Sequence, residues 1–583
     1  MLKTLLRSLR EYKKPAIWTP ILVAGEVILE IMIPFFMANI IDFGIDAGDM
    51  GYILKTGGIL VLAAVASLIL GAMAGSTAAT ASAGFAKNLR KDMFYNVQSL
   101  SFSNIDKLST SSIITRITTD TANVQMAFQM LIRTAVRAPL MLICAMVASF
   151  KINASLALIF LGIAPVLATV LVLIIRKVHP LMESVFKTYD TLNNDVSENL
   201  HGIRVVKTFV REDYETSKFE KISRKIFENF SKAHKLVAFN APTMQASMYV
   251  CMLLISWFGA RLIVASGGNP EIGMSTGQLT SMFAYATQIL VSLMMLSIVL
   301  VMVIISRASS ERIVELLNEK SDLHNKENPV KEVRDGSIRF ADVDFGYSKD
   351  AEKLCLSNVN IDIRSGETVG IIGGTGSSKS SFVQLIPRLY DVTNGSVQVG
   401  GVDVRDYDLD ALREQVAMVL QKNVLFSGTI KENLRWGNEH ATDEELEEAC
   451  RLAAADSFIK GFPDGYDTYV EQGGTNLSGG QKQRLCIARA LLKKPKVIIL
   501  DDSTSAVDTR TDAQIRRALK ERIADTTKLI IAQRVASVMD ADKIIVLDDG
   551  KVSAVGTHEE LLQTSGIYKE VYESQTRGGL GDE

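Results

Sequence analysis

The chain has 583 residues, which is more than one ordinary domain contains. Hydrophobic residues make up 48% of it, and the formal net charge of −2 gives no reason to expect a nucleic acid as partner. The five cysteines lie far apart and form no CxxC pair, so we expect reduced, packed thiols and neither a disulfide framework nor a cysteine metal site.

Residues 2–13 combine basic and apolar side chains and predict an amphipathic helix on the cytoplasmic membrane surface. Six apolar segments follow, and each reaches the roughly 20 residues that a bilayer-spanning helix requires. These segments cover about residues 16–41, 56–84, 131–150, 153–175, 241–265 and 278–305.

Two long polar stretches, residues 85–130 and 176–240, follow spans two and four. Basic residues concentrate in both, whereas the short loop after span one carries aspartates. The positive-inside tendency therefore places the N-terminus and both stretches in the cytoplasm. Because the stretches keep a helical period, we expect spans two to five to continue into the cytoplasm as helical hairpins.

The pattern changes after a highly polar linker at residues 306–335. Short β runs such as ETVGIIG and KVIILDD then alternate with helical stretches, which indicates an α/β domain. The sequence thus predicts an α-helical six-span transmembrane domain over residues 1–320, fused to an α/β domain over residues 335–575.

The segment ETVGIIGGTGSSKSS (367–381) has the order that a phosphate-binding loop requires: an apolar strand, a glycine-rich turn, then Lys379 and Ser380 opening a helix. In such loops the lysine reaches the β/γ-phosphates and the serine ligates Mg²⁺. The strict pattern has a second glycine where this chain has Ser378. Whether that side chain crowds the loop or lies outside it stays open at this point.

Further motifs surround this loop. In chain order they are Tyr347, Gln421, LSGGQKQR (477–484), VIILDD (497–502), STSAVD (503–508) and LIIAQR (529–534). VIILDD predicts a buried strand that ends in acids, which suits Asp501 to a site near a metal ion. The ring of Tyr347 is suited to stacking on adenine.

Six spans followed by this ordered set resemble a half-transporter of the ABC exporter family, of the multidrug, lipid and peptide exporter type. The resemblance covers essentially the whole chain. In that family two chains pair, and their ATPase domains meet head to tail. Each of two ATP molecules then lies between the Walker motifs of one chain and the LSGGQ motif of the other.

The resemblance assigns roles to individual positions. Tyr347 would stack on adenine, Ser380 and Gln421 would serve Mg²⁺, and Asp501 would hold it through water. The residues that would cradle the phosphates of ATP are Gly373, Gly374, Thr375, Gly376, Ser377, Ser378, Lys379, Ser380 and Ser381. The residues that would cap the ATP of the partner are Ser478, Gly479, Gly480 and Gln481, with Asp508 signalling across the dimer. The expected coupling helices lie near residues 112–118 and 210–214.

Three residues depart from the family pattern, all where this chain would bind its own ATP. The catalytic position after Asp501 is usually glutamate but here is Asp502, shorter by one methylene or about 1.5 Å. Positioning dominates phosphoryl transfer, so this carboxylate should align water poorly unless backbone shifts compensate. Gln533 replaces the usual histidine and can donate a hydrogen bond but carries no charge. Ser378 is the third change.

The LSGGQ segment, by contrast, matches the family. We therefore expect a heterodimer with a related half-transporter, in which this chain's Walker site is weak and the site completed by its LSGGQ is strong.

Glu26 and Glu30 lie one turn apart in span one, where acids are costly and tend to face a cavity or a partner. Contact with cationic amphipathic drugs and a structural hydrogen bond both remain open for them. We assign Arg133 and Arg137 to an end of span three. The methionines of spans five and six fit either a promiscuous apolar pocket or plain helix packing.

The sequence thus predicts an ATP-driven exporter subunit in the cell membrane, with its N-terminus and ATPase domain in the cytoplasm. Its expected cargo is amphipathic drugs or lipid-like compounds taken from the cytoplasm or the inner leaflet. A lipid flippase and an ATP-gated channel or regulatory subunit are the alternatives.

Overall fold

The computed structural model describes residues 1–266, 273–348, 353–503 and 506–578. Their contacts divide the chain into two compact units. The first comprises Met1–Gln98 and Ser109–Glu319, and the second comprises Ser99–Leu108 and Lys320–Glu583. Two positions of the STSAVD motif, 504 and 505, lie outside the described residues.

Helices build the described part of the first unit. They are α1 (Leu2–Arg7), α2 (Lys13–Ile40), α3 (Met50–Ser99), α5 (Thr110–Thr115), α6 (Thr121–Ile132), α7 (Thr134–Ile152), α8 (Ala154–His201), α9 (Ile203–Thr208), α10 (Glu212–Ala238), α11 (Asn240–Ser266) and α12 (Thr276–Asn318). The helix α4 (Phe102–Leu108) lies between α3 and α5 in the chain but belongs to the second unit. Arg10–Tyr12 is a 3-10 turn, and Ile41–Ile45 and Arg116–Asp120 are π-helical turns.

Six helical runs among the described residues are long and apolar enough to cross a membrane. They are Arg10–Ile45, Met50–Ser99, Thr110–Ile152, Ala154–Leu200, Glu212–Ser266 and Thr276–Asn318. All are longer than a bilayer requires, and in the second to fifth runs the polar stretches continue the same helices, as the helical period indicated. The predicted six-span architecture is therefore confirmed.

Small residues let the spans approach one another closely. Ala74, Ala78 and Ala81 of α3 are fully buried, and α12 packs against α2 and α7. Asp42 fixes the start of α12, because its carboxylate accepts a hydrogen bond from the backbone N–H of Gly277 at 2.8 Å. An acid at this helix N-terminus also interacts favourably with the positive end of the helix dipole.

The second unit mixes strands and helices. Its strands are β1 (Ile338–Phe345), β2 (Leu356–Ile363), β3 (Thr368–Gly373), β4 (Asn394–Val399), β5 (Val402–Asp403), β6 (Val416–Val419), β7 (Gly428–Thr429), β8 (Tyr469–Val470), β9 (Val497–Asp501), β10 (Thr527–Ile531), β11 (Lys543–Asp548) and β12 (Lys551–Gly556). Its helices besides α4 are α13 (Lys379–Gln384), α14 (Leu409–Gln415), α15 (Ile430–Arg435), α16 (Asp443–Leu452), α17 (Asp456–Ile459), α18 (Gly479–Leu492), α19 (Thr509–Arg522), α20 (His558–Thr564) and α21 (Gly566–Gly578).

A six-stranded sheet of order β12-β11-β3-β10-β9-β6 forms the centre of this unit. All its pairings are parallel except that of the edge strand β12. Every residue of β9 and β10 is buried, as the continuous apolar runs in the sequence indicated. A second, antiparallel sheet has the order β2-β1-β4-β5.

The sheet register determines where the polar residues meet. Ile531 of β10 pairs with Ile371 of β3 on one side and with Asp501 of β9 on the other. The carboxyl ends of parallel strands lie at one edge of a sheet. The segments that follow these three strands, which contain the predicted phosphate loop, Asp502 and Gln533, therefore converge there.

The first predicted hairpin is divided between the two units, and the coupling role expected for residues 112–118 stays a prediction. Residues 112–118 lie in the first unit, and Ser99–Leu108 groups with the second unit instead. The reason is local: Phe102 packs its ring near Tyr390, and Tyr390 donates a hydrogen bond to the carboxylate of Asp106 at 2.8 Å.

Candidate nucleotide site

The phosphate loop has a left-handed backbone at two positions. Gly376 has φ of +84°, a conformation without penalty for glycine, and Ser378 has φ of +68°. Ser378 precedes α13 without capping it through its side chain. The conformation of the backbone explains why a glycine suits this position, and Ser378 adopts it under strain.

Lys379 folds back onto the loop. Its Nζ donates to the backbone carbonyls of Gly373 and Gly374 at 2.9 and 2.8 Å. Burial lowers the pKa of this amine, while the carboxylates of Asp501 and Asp502 act in the opposite direction. A cation is thus held at the mouth of the loop, where phosphate oxygens would replace the carbonyls as its partners.

Ser380 and Asp501 meet as the sequence predicts. Ser380 Oγ donates to Asp501 Oδ1 at 3.1 Å. Burial is the main cause that raises the pKa of Asp501, and the hydrogen bond from Ser380 opposes it. A hydroxyl and a carboxylate side by side are hard oxygen ligands, so the residues fit Mg²⁺.

The two predicted catalytic residues contact each other. Gln533 Nε2 donates to Asp502 Oδ2 at 2.7 Å, and Asp502 has φ of +49°. Burial raises the pKa of the Asp502 carboxyl, whereas hydrogen bonds from Gln533 and Gln421 lower it. The carboxylate therefore has amide donors as neighbours and lies in a strained backbone conformation.

Tyr347 has an exposed ring and an anchored hydroxyl. The ring is 51% exposed, and Oη lies 2.9 Å from Ser381 Oγ at the start of α13. Tyr390 supports it edge-on, with ring centroids 5.1 Å apart and an interplanar angle of 90°. Sequence reasoning missed Tyr390, because only the fold brings this residue beside Tyr347.

The LSGGQ segment forms the start of α18. Ser478 caps this helix, accepting from Gln481 N at 3.3 Å, while the Gln481 side chain accepts from Ser478 N at 2.9 Å. Ser478 and Gly479 are exposed. Among the described residues no hydrogen bond joins this segment to the phosphate loop. A well-capped, exposed helix N-terminus is suited to an anion that comes from outside the chain.

The segment after the acids packs on α18. Ala506 N donates to Gln483 Oε1 at 3.1 Å, and a Cβ at Gly480 would lie 2.9 Å from the carbonyl oxygen of Ala506. Asp508 caps α19 by accepting from Thr511 N at 3.0 Å, and this backbone bond is the main cause that lowers the pKa of the Asp508 carboxyl.

The acids of span one have a basic partner in span three. Arg137 donates to Glu26 and, at 2.8 Å, to both carboxylate oxygens of Glu30. Arg137 lies in the first turn of α7, which agrees with its assignment to an end of span three, and the packing of α7 on α2 brings it to the two acids. Glu26 is only 6% exposed, and its second oxygen, Oε2, has no hydrogen-bond partner in the described part of the chain.

A phosphate loop, a Ser–Asp pair suited to Mg²⁺ and an exposed LSGGQ helix, carried after six apolar helical spans, define a membrane-integral transport ATPase. The family model of the ABC transporter transmembrane region matches residues 17–294, and the family model described as ABC transporter matches residues 356–505.

Curated relatives match the chain over most of its length. The uncharacterized ABC transporter ATP-binding protein YfiB of Bacillus subtilis is 38% identical over 570 residues, 98% of each chain. Rv1273c of Mycobacterium tuberculosis, described in the same words, is 34% identical over the whole of both chains. The ATP-dependent lipid A-core flippase of Desulfotalea psychrophila is 32% identical over 84% of each chain.

The fold is also that of a solved exporter. A bacterial Atm1-family ABC exporter with ATP bound superposes with a TM-score of 0.82 at 23% identity, over 97% of this chain and 99% of that one. The chain belongs to the ABC transporter family, as an exporter-type half-transporter with an ATP-hydrolysing domain.

Proposed function

We propose that this chain is one subunit of a heterodimeric ABC exporter that moves amphipathic drugs or lipid-like compounds out of the cytoplasm or the inner leaflet. Its own Walker site binds ATP and hydrolyses it slowly. Its LSGGQ segment completes the fast site of a related half-transporter. The transmembrane domain covers residues 1–320 and the nucleotide-binding domain residues 335–575, with the latter and the N-terminus in the cytoplasm.

The contact between Asp502 and Gln533 carries the proposal. A general base must lie within hydrogen-bond reach of the water that it activates. The Asp502 carboxylate is shorter than a glutamate by about 1.5 Å, and its Oδ2 accepts from Gln533 at 2.7 Å. This carboxylate therefore lies farther from the attacking water than a glutamate would, and one of its oxygens already accepts from a neutral donor. Both features support a site that binds ATP but aligns the attacking water poorly.

The phosphate loop retains what binding requires. The roles that we assign are those of a nucleotide cradle: residues 373–381 surround the phosphates, Tyr347 stacks on adenine, and Lys379 neutralises phosphate charge. Ser380, Gln421 and Asp501 would hold Mg²⁺, which neutralises charge on the β- and γ-phosphates when bound. The strain at Ser378 lowers the stability of the loop without removing any of these groups.

The LSGGQ segment has no comparable defect. The reciprocal Ser478–Gln481 cap fixes the first turn of α18, and the backbone N–H groups of the exposed Gly479 and the half-buried Gly480 are suited to a γ-phosphate. Asp508 starts α19 next to it and would carry the signal between the two ATP sites. The asymmetry between a sound LSGGQ helix and a weakened Walker site supports two different subunits.

Exposed apolar residues offer contacts for such a partner. At the tip of the second hairpin, Phe209, Val210 and Tyr214 are 71%, 80% and 62% exposed. On the ATPase unit, the rings of Phe426 and Trp436 stack 4.1 Å apart and remain 43% and 63% exposed. Large exposed apolar groups mark interaction sites, and we propose that each subunit's tip docks beside the corresponding rings of its partner.

The cargo class rests on the membrane unit. Arg137 is one basic side chain shared by the two acids of span one. This excess of acidic groups at one level of α2 supports a weak role for Glu26 and Glu30 in attracting cationic amphipathic compounds. The flippase relative favours lipid-like cargo as the second candidate. Drug-stimulated and lipid-stimulated ATPase activity in reconstituted vesicles would separate the two.

The proposal is tested by purification from native membranes through a tag on this chain. We expect a second, related half-transporter to copurify in a 1:1 ratio, as measured by mass spectrometry. The pair should hydrolyse ATP at least about 10²-fold faster than this chain expressed alone, by analogy with the cost of about 1 Å of misplacement at a reacting group. Brisk multiple turnover by this chain alone would contradict the proposal.

A further inference from the structure

The C-terminal helix α21 holds the segment that carries Gln533. The amide side chain of Gln575 makes two hydrogen bonds to this segment: Nε2 donates to the carbonyl oxygen of Gln533 at 2.8 Å, and Oε1 accepts from Val535 N at 2.9 Å. One side chain thus fixes the backbone on both sides of residue 534. Two hydrogen bonds from one planar amide fix the orientation of a backbone segment, whereas a single bond would let the segment rotate about it.

We call the two hydrogen bonds from Gln575 the clamp. The helix α21 that carries Gln575 is itself anchored to the rest of the ATPase unit. Tyr568 is fully buried near the start of the helix, and its hydroxyl lies 2.8 Å from His558 Nδ1. Val571 and Tyr572 pack against the apolar core that contains Ile498 and Leu500 of β9 and Ile530 of β10. Gln575 follows one turn after Val571, at the point where the helix leaves the core.

A second helix holds the far end of the same segment. Ser537 Oγ donates to Asp512 Oδ2 at 3.1 Å, and Arg516 donates to the same oxygen at 3.2 Å. Asp512 lies in α19, the helix that Asp508 caps. Residues 533–537 are thus held by α21 at one end and by α19 at the other, with the Gln533 side chain free to reach Asp502 at 2.7 Å.

We infer that Gln575 is a positioning residue for Gln533, and that α21 thereby controls how this chain's own site distinguishes ATP from ADP. The inference rests on the proposed function in one respect, namely that the Gln533 amide faces the γ-phosphate. The two backbone hydrogen bonds from Gln575 fix the position from which the Gln533 side chain extends, and its bond to Asp502 then sets the direction of the amide. Without the clamp, residues 533–535 gain freedom, and the Gln533 donor spends less time in the orientation that an anion requires.

The first test needs no nucleotide. Hydrogen exchange followed by mass spectrometry on the full-length chain should show faster exchange of the peptide containing Val535 in Gln575→Ala. Thr576→Ala is the matched control, because Thr576 lies on the same helix and, among the residues that the structure describes, its hydroxyl bonds only within that helix, to Tyr572 O at 2.8 Å. Unchanged exchange in Gln575→Ala would overturn the clamp.

The second test measures the ratio of affinities for N-methylanthraniloyl ATP and ADP. Loss of these two neutral hydrogen bonds, one part-buried and one exposed, should lower this ratio about threefold to tenfold in Gln575→Ala, with the ADP affinity unchanged. In a Gln533→Ala background, Gln575→Ala should have no further effect. An equal fall in both backgrounds would overturn the inference.

The two tests separate the inference from the function on which it rests. If Gln533→Ala itself leaves the ATP to ADP ratio unchanged, the assigned γ-phosphate contact is wrong, and with it that part of the proposed function. The exchange measurement still decides whether Gln575 holds the segment.

Discussion

Lengthening the side chain at position 502 is the sharpest perturbation of this site. The variant Asp502→Glu moves the carboxylate forward by about one methylene, or 1.5 Å. Misplacement of a reacting group by about 1 Å costs on the order of 10²-fold in rate. The longer side chain would collide with the Gln533 amide, which now lies 2.7 Å from the carboxylate. We therefore expect about 10-fold faster hydrolysis from Asp502→Glu alone and about 10²-fold from Asp502→Glu with Gln533→His.

The assay must isolate this chain's own site. Ser478→Ala weakens the LSGGQ helix that this chain gives to its partner, so in that background the remaining turnover of the pair comes from the Walker site studied here. In a heterodimer, the two substitutions at positions 502 and 533 should restore phosphate release. In a homodimer both sites need Ser478, and nothing would be restored. A triple variant that stays as slow as Ser478→Ala would refute the reasoning.

Three further outcomes follow from the geometry. Ser378→Gly should raise the free energy of unfolding of the ATPase unit by about 0.5–1 kcal/mol, because glycine adopts positive φ without strain; thermal unfolding checks this, and Thr375→Gly should not stabilise. Asp501→Asn should raise the thermal midpoint of the nucleotide-free chain at pH 7. Burial raises the pKa of Asp501 in the folded state, so ionisation of this carboxyl lowers the stability as the pH rises above the usual aspartate pKa. The gain in thermal midpoint from Asp501→Asn should therefore vanish at pH values below the usual aspartate pKa, and a gain that does not change with pH would contradict this reasoning. Arg137→Ala should destabilise the membrane unit by about 3 kcal/mol, because it leaves the acids of span one without their cation. Arg133→Ala, at a residue without an acidic partner in the described part of the chain, should cost much less in the same detergent melts.

Much of the fold could be predicted because its signals are local. Apolar length identifies the spans, and continuous apolar runs identify β9 and β10, which are buried along their whole length. The phosphate loop and the Ser380–Asp501 pair followed from motifs whose spacing is set by the strands that carry them. These features depend on residues near each other in sequence or on one sheet edge.

The rest depends on contacts that sequence patterns do not encode. The pairing of Arg137 with Glu26 joins residues 111 positions apart on different helices, and the clamp of Gln575 on Val535 joins residues 40 apart. The sequence indicated that position 378 is unusual, because the phosphate-loop pattern has glycine where this chain has serine. Only the structure shows how Ser378 is accommodated, with a backbone φ of +68°.

The most direct test of the central claim compares two substitutions in the complex isolated from native membranes. Ser478→Ala disables the helix offered to the partner's ATP, and Asp502→Asn disables the carboxylate at this chain's own ATP. The account predicts that Ser478→Ala removes nearly all steady-state ATP turnover, whereas Asp502→Asn leaves it within about a factor of two, since a misplaced carboxylate contributes little to rate. Equal losses from the two substitutions would contradict it.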